Sequence, residues 1–326
     1  MSISKKPLLV VGTGVNKWLL PVTYHGPLTD WSKLLAGVAE KVGVEVNCEL
    51  TVPPTVVWEE ILLEMVRKNK APTATKAERN ARIIAKKILE QDSMAARAHS
   101  DIQCEILNWP VSDIVCLNFE AFWIPKKETW HRNGGPKKNF LGANIEVERL
   151  YRRITIHDKQ IWFPNGNIQR ADSLRLGLRD FGFQASALKY AFDEFKSWEK
   201  KIVGGDLKKR GAYLKLLHSL AKSPDAIPEA DNWVRPFMLR PVIFCGVGLS
   251  ESEQGLWWLL AQRARNFARL SNSPKVYILQ NEQCISKARW QKWNAKPLGI
   301  EPIWCRDWCK GWASIKEKTD LLSECR

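Results

Sequence analysis

The chain has 326 residues, of which 45% are hydrophobic and 26% charged. That balance excludes a disordered polymer and fits one large α/β domain or two modest ones. The formal charge of +15 permits contact with nucleic acid or another polyanion without requiring it, and no apolar run approaches the roughly 18 residues that cross a membrane.

The first segment of strong character runs from Leu8 to Val11, a continuous apolar stretch that ends in Gly12-Thr13-Gly14. This is the pattern of a buried parallel strand that delivers a tight glycine loop. The first glycine can take a positive φ, and the second lets a backbone or a ligand come close. A phosphate would sit well on amides placed there; an ordinary turn after a first strand gives the same letters. The third glycine of the dinucleotide fingerprint and the Lys-Ser/Thr of a P-loop are both missing. The basic lead MSISKKP passes into this run with no small-residue cleavage pattern, so it reads as the approach to a strand, not as a signal peptide.

Trp31, Leu34, Leu35, Val38 and Val42 have helical spacing, with Asp30 placed as the cap. The composition then changes, and helices are predicted over 57–66, 77–89 and 94–107, with Thr73 or Thr75 capping the second. Together, 51–107 reads as a helical insertion, basic on its outer face, between two strands of one sheet. Residues 112–119 return to strand character and end in Asn118. A polar residue at the carboxyl end of a buried strand is where α/β proteins place groups that meet ligands.

Residues 126–144 are polar and glycine-bearing, which predicts a long exposed loop. Short strands are predicted over 152–156 and 160–166, and 173–178 is short and alternating. Residues 185–198 are amphipathic through Leu188, Phe192 and Phe195; 213–220 is helical and 221–229 a Pro/Ser linker. Residues 233–239 are apolar, and 241–245 is a second buried strand ended by Gly246 and Gly248. Ser250-Glu251 start the helix that follows, whose apolar stripe is interrupted by Arg263. A strand over 275–279, a last short strand from Ile303 and a tryptophan-bearing terminal helix complete the chain.

Of eight cysteines, Cys116 and Cys245 fall inside strand-like runs and read as small hydrophobes. Cys305 and Cys309 have no second pair or histidine nearby, so no metal site is predicted. This usage fits a reducing cytoplasm.

Taken in order, the motifs are Gly12-Thr13-Gly14-Val15-Asn16, then Trp31, then Leu117-Asn118-Phe119-Glu120, then Trp162-Phe163-Pro164-Asn165-Gly166 with Ser173 to Gly177 behind it, and finally Gly246-Val247-Gly248-Leu249-Ser250-Glu251-Ser252-Glu253. Over roughly residues 7–310 this order resembles the SIR2-like domain of bacterial proteins, especially those of anti-phage defence systems. The resemblance implies a single domain over 1–326: a Rossmann-like parallel sheet with helices on both faces and a helical insertion. It also implies binding of NAD, with activated members looking like NAD glycohydrolases. On that likeness Gly12, Thr13 and Gly14 cradle the pyrophosphate with Asn16 beside them, Asn118 is the catalytic asparagine, and Gly246, Gly248 and Ser250 approach the adenosine end.

Asn165 stands where the family has a histidine. Histidine exchanges a proton near neutral pH and asparagine does not, although an amide can still hold a ribose hydroxyl or orient a water. His25, in the Gly/Pro turn after the glycine loop, is a candidate to reach the bound nucleotide; His157 reads as a surface residue.

Three functions remain open. One is an NAD-consuming enzyme of antiviral defence, acting alone, as a homo-oligomer or with a partner subunit. Another is a catalytically silent protein that binds NAD or ADP-ribose. The third, compatible with either, is contact with nucleic acid through the basic surface. Deacetylation is disfavoured because no Cys₄ zinc module is present, and no acidic residue follows the glycine loop at the distance dehydrogenases use for a ribose.

Overall fold

In the computed structural model the described residues are 6–16, 20, 24–48, 52–96, 101–111, 113–119, 150–151, 153–156, 159–203, 232–249, 253–268, 274–283 and 298–324. Strand β1 (Leu8–Val11) lies at the centre, with all of its residues buried. It pairs in parallel with β2 (Asp113–Cys116) on one side, Val11 opposite Cys116, and with β5 (Val242–Cys245) on the other, Val11 opposite Cys245. Beyond β2 come β4 (Lys159–Trp162) and β3 (Arg153–Ile156); beyond β5 come β6 (Val276–Asn281) and β7 (Ile300–Cys305). The sheet has seven strands in the order β3-β4-β2-β1-β5-β6-β7. Every pairing is parallel except the edge pair β3–β4.

Both faces of this sheet are covered, as a buried parallel sheet requires. Side-chain alternation along β1 sends Leu9 and Val11 into one core and Leu8 and Val10 into another. The first core is closed by α1 (Trp31–Val42), α2 (Pro54–Arg67), α3 (Ala74–Ala96) and α4 (Asp101–Asn108), with Ile315 of α8 (Gly311–Glu324). The second is closed by α5 (Leu178–Val203), α6 (Val234–Leu239) and α7 (Gln254–Phe267). The expected α/β, Rossmann-like architecture is what the chain adopts.

Helix starts follow their capping residues. The Asp30 carboxylate accepts the Ser32 amide at 2.8 Å, and Gly43 ends α1 at φ 70°. Pro54 opens α2, where a missing N–H is harmless. The Thr73 hydroxyl accepts the Lys76 amide at 3.3 Å to start α3. That helix runs on to Ala96 and so absorbs Met94, which periodicity had assigned to the next helix. The helices of 54–108 are not detached from the sheet: Val57, Trp58, Ala81, Leu89 and Ile106 share one core with Leu9 and Val11.

Residues 173–178 form no strand. A 3₁₀ turn (Ala171–Ser173) leads by extended backbone into α5. Segment 234–239 is a helix, and α7 starts only at Gln254. Arg263, which breaks the apolar stripe of α7, is buried and donates to the carbonyl oxygens of Phe237, Arg240 and Pro274. The predicted loop 126–144, helix 213–220 and linker 221–229 lie outside the described residues. None of the described helices is long and apolar enough to cross a membrane.

After β4 the chain passes to β5 on the far side of β1. The strand order therefore reverses between β1 and β5, and the crevice above such a reversal is where open α/β sheets bind their ligands.

Candidate functional site

The two glycine loops meet at that reversal. The Gly12 amide donates to the Cys245 carbonyl at 3.0 Å, the Gly14 amide to Gly246 at 2.9 Å, and the Val15 amide back to Gly12 at 3.0 Å. The Asn16 amide closes on the carbonyls of Thr13 and Gly14. Among the described residues, Thr13 is left as the position of this loop whose amide has no carbonyl partner. A Cβ on Gly12 would lie 2.6 Å from the Gly246 oxygen, and one on Gly14 2.6 Å from the Gly246 Cα. The close approach that these glycines permit is backbone on backbone. Around Gly248, by contrast, nothing lies within 4 Å of a Cβ, and the residue is exposed.

Because β1, β2, β4 and β5 are parallel, the residues just past their carboxyl ends share one edge of the sheet. Three asparagines and an arginine are joined there. Asn16 donates its Nδ2 to the Leu28 carbonyl at 2.7 Å, and Asn118 donates its Nδ2 to Asn16 Oδ1 at 3.4 Å. Asn165 donates its Nδ2 to the Leu117 carbonyl at 2.9 Å and accepts Arg175 Nη1 on its Oδ1 at 3.2 Å. The Arg175 amide also donates to the Asn165 carbonyl at 2.9 Å. A carbonyl only accepts, so Leu28 fixes the orientation of Asn16, Asn16 fixes Asn118, and Leu117 fixes Asn165.

One acceptor is left over. Asn118 is 3% exposed, and its Oδ1 has no hydrogen-bond partner among the described residues. An unmade hydrogen bond on a buried polar atom costs about 1–3 kcal/mol, so a buried orphan at a strand end invites a ligand or a water as partner. Phe119, the next residue, packs on Trp31 at the start of α1 with ring centroids 5.5 Å apart.

Arg175 is 1% exposed and lies over the Phe181 ring at 5.8 Å, and its charge acts on the Glu253 carboxyl. Burial pushes the Glu253 pKa up, and the Arg175 charge pulls it part of the way back. The backbone around Arg175 is itself held. Arg82 of α3 donates Nη1 to the Leu174 carbonyl at 2.6 Å and to the Asp172 carbonyl at 3.1 Å, and pairs through Nη2 with Asp180 at 2.8 Å and Glu78 at 2.6 Å. Asp180 in turn accepts the amides of Leu176 and Gly177 at 2.9 and 3.3 Å.

The structure thus gathers Gly12, Thr13, Gly14, Asn16, Asn118, Asn165, Gly246 and Gly248 on one edge of the sheet. His25 is exposed and bonds to neither asparagine. Ser250, Glu120 and His157 lie outside the described residues. Arg175 joins the site although sequence reasoning did not single it out, and Glu253, the last residue of the final motif, comes under its charge. A charged residue between Leu174 and Leu176 in an otherwise apolar stretch was the available signal for the first. Among the described residues Cys116, Cys245 and Cys305 are buried outside any disulfide, and no cluster of His, Cys, Asp or Glu is arranged to hold a metal ion.

Fold and site together define a doubly wound α/β protein in which carboxamides, backed by a buried arginine, line the carboxyl edge of the sheet. No protein-family model matches the chain, and a search of the curated proteins finds no match either.

Proposed function

We propose that the chain is a SIR2-like NAD glycohydrolase, acting in bacterial anti-phage defence, that cleaves the nicotinamide–ribose bond of NAD at the Asn118 edge. The observation that carries this reading is the buried, unpartnered Oδ1 of Asn118, held in place through Asn16 at the carboxyl end of a central strand. The order of the motifs supplies the substrate class.

In the reaction the C1′–N bond breaks and its electron pair passes to the pyridinium nitrogen. Nicotinamide leaves neutral and needs no acid. Water adds to C1′ and releases one proton, giving ADP-ribose. The transition state is oxocarbenium-like, so a fixed acceptor that holds a ribose hydroxyl or the attacking water contributes more than a strong base. Asn118 Oδ1 is that acceptor. The amides of Gly12 and Gly14 are committed to the carbonyls of Cys245 and Gly246, so in this reading the diphosphate meets Thr13 and the open side at Gly248.

One observation favours a second reading. Both polar ends of Asn165 are engaged inside the protein, the Nδ2 by Leu117 and the Oδ1 by Arg175. In place of a proton-exchanging histidine the site holds a brace, which suits a protein that binds NAD or ADP-ribose without cleaving it.

Chromatographic assay of nicotinamide release, beside calorimetry with ADP-ribose, separates the two. Turnover that falls about 10²–10³-fold in Asn118→Ala supports the hydrolase. ADP-ribose binding without turnover supports the silent protein. No binding of either ligand at millimolar concentration overturns both.

A further inference from the structure

We propose that Arg82, remote in sequence from every motif of the site, is a positioning residue that sets the geometry of Asn118 through the segment 172–180. This inference rests on the reading of Asn118 as the ligand-facing acceptor.

Arg82 sits on α3, and its guanidinium reaches Asp180, 98 residues further along the chain. The side chain is buried against the Leu174 carbonyl on one flank of Arg175. Its partner Asp180 takes the Leu176 amide on the other flank. One ion pair therefore fixes the backbone on both sides of Arg175. From there the contacts are continuous: Arg175 bonds both the backbone carbonyl and the side-chain oxygen of Asn165, Asn165 bonds the Leu117 carbonyl, and Leu117 is followed directly by Asn118.

The choice of residue supports a positioning role. A buried ion pair rarely stabilises a fold more than a well-packed apolar pair would, because both charges must be desolvated. What it supplies is direction. The planar fork of arginine holds two carbonyls and two carboxylates at set angles, which a lysine point charge does not reproduce. Glu78, one turn earlier on α3, takes another donor and keeps the fork oriented.

The test uses the full chain labelled with ¹⁵N at asparagine, so that side-chain NH₂ signals report local geometry with no ligand present. In Arg82→Met, shown to be folded by circular dichroism, the NH₂ signals of Asn165 and Asn118 are expected to shift while that of Asn281, at the end of β6, stays in place. ADP-ribose affinity is expected to weaken about tenfold, with kcat falling more than KM rises if the protein turns over NAD. Where the Met variant fails to fold, Arg82→Lys keeps the charge and loses the fork, and the same two signals are expected to move. Unchanged Asn165 and Asn118 signals in a folded variant overturn the proposal. Shifted signals in a protein that binds neither NAD nor ADP-ribose leave the positioning intact and discard the functional reading instead.

Discussion

Replacing Gly246 by alanine tests the junction on which the site edge depends. Gly246 has φ 65°, in the left-handed region, and a Cβ there would lie 2.3 Å from the Val15 amide nitrogen and 2.7 Å from the Gly14 carbonyl carbon. Those atoms are backbone and cannot swing aside. The left-handed conformation costs a non-glycine residue roughly 1–2 kcal/mol, and forcing added volume into a packed place costs typically about 1–3 kcal/mol. Gly246→Ala is therefore expected to lose roughly 2–5 kcal/mol, a large part of the about 5–15 kcal/mol that holds a typical domain. Gly248 is the internal control. It lies two residues away, lacks a positive φ and has open space around its Cβ position, so Gly248→Ala is expected to stay within about 0.5 kcal/mol of wild type. Gly14→Ala meets the same junction from the other side, 2.6 Å from the Gly246 Cα. Because the two variants share one contact, the double substitution is expected to cost less than the sum. Urea unfolding followed by tryptophan fluorescence reads all four proteins. Equal midpoints for Gly246→Ala and Gly248→Ala would refute the interlocked-loop account.

Two further outcomes follow from the charges. The Glu253 carboxyl has a pKa raised above its usual 4.5, chiefly by burial, so the folded state binds its proton more tightly than the unfolded chain does. The stability this contributes is complete below pH 4.5 and is lost as pH rises through the folded value. Glu253→Gln is expected to remove that loss, and thermal unfolding across the acid-to-neutral range checks it: parallel profiles for variant and wild type would show that the group is not buried as described. On the basic side, Lys76, Arg79 and Lys87 are exposed on α3. Reversing all three charges is expected to flatten the salt dependence of any duplex-DNA affinity, whose slope is about 0.9 per neutralised phosphate; an unchanged slope in a salt titration removes α3 from the contact.

The strands were the most legible part of the chain because burial on both faces leaves an unbroken apolar run. Leu8 to Val11 and Val242 to Cys245 stand out for that reason, and the glycines after them mark the ends. Helix existence was legible from periodicity and helix starts from Asp30 and Thr73, whereas the end of α3 was not. Between Leu89 and Ala96 no glycine or proline marks a stop, so periodicity alone does not place the boundary. Asn118 was found because a polar residue ending an apolar strand is conspicuous, whereas Asn165 was reached only through the order of the motifs. Arg82 was hidden for the opposite reason: in a basic helix it looks like one more solvated charge. Its burial depends on Asp180, a partner far along the chain that no local pattern announces.

In the proposed SIR2-like reading Asn165 stands where a histidine is expected, and that difference changes what the site can do. An imidazole holds one donor and exchanges it, so it can serve a reaction in which protons move. A carboxamide with its Nδ2 on Leu117 and its Oδ1 on Arg175 keeps its protons and resists rotation, since turning it would set two donors against Arg175 and two acceptors against each other at Leu117. Among the described residues, the carboxamide oxygen of this group left unengaged is Asn118 Oδ1. A site of that kind stabilises charge by placement and leaves proton traffic to water. It suits a bond whose leaving group departs neutral, and it does not suit one that needs an acid to expel an alkoxide or an amine. The same constraint predicts the direction of an engineered change. In Asn165→His, an imidazole that exchanges protons has to give up either the Leu117 or the Arg175 contact, so any gain in proton transfer comes with a looser Asn118. A pH–rate profile that acquires an imidazole limb while the KM for NAD rises is the expected signature; a gain in kcat at unchanged KM would show that Asn165 braces nothing.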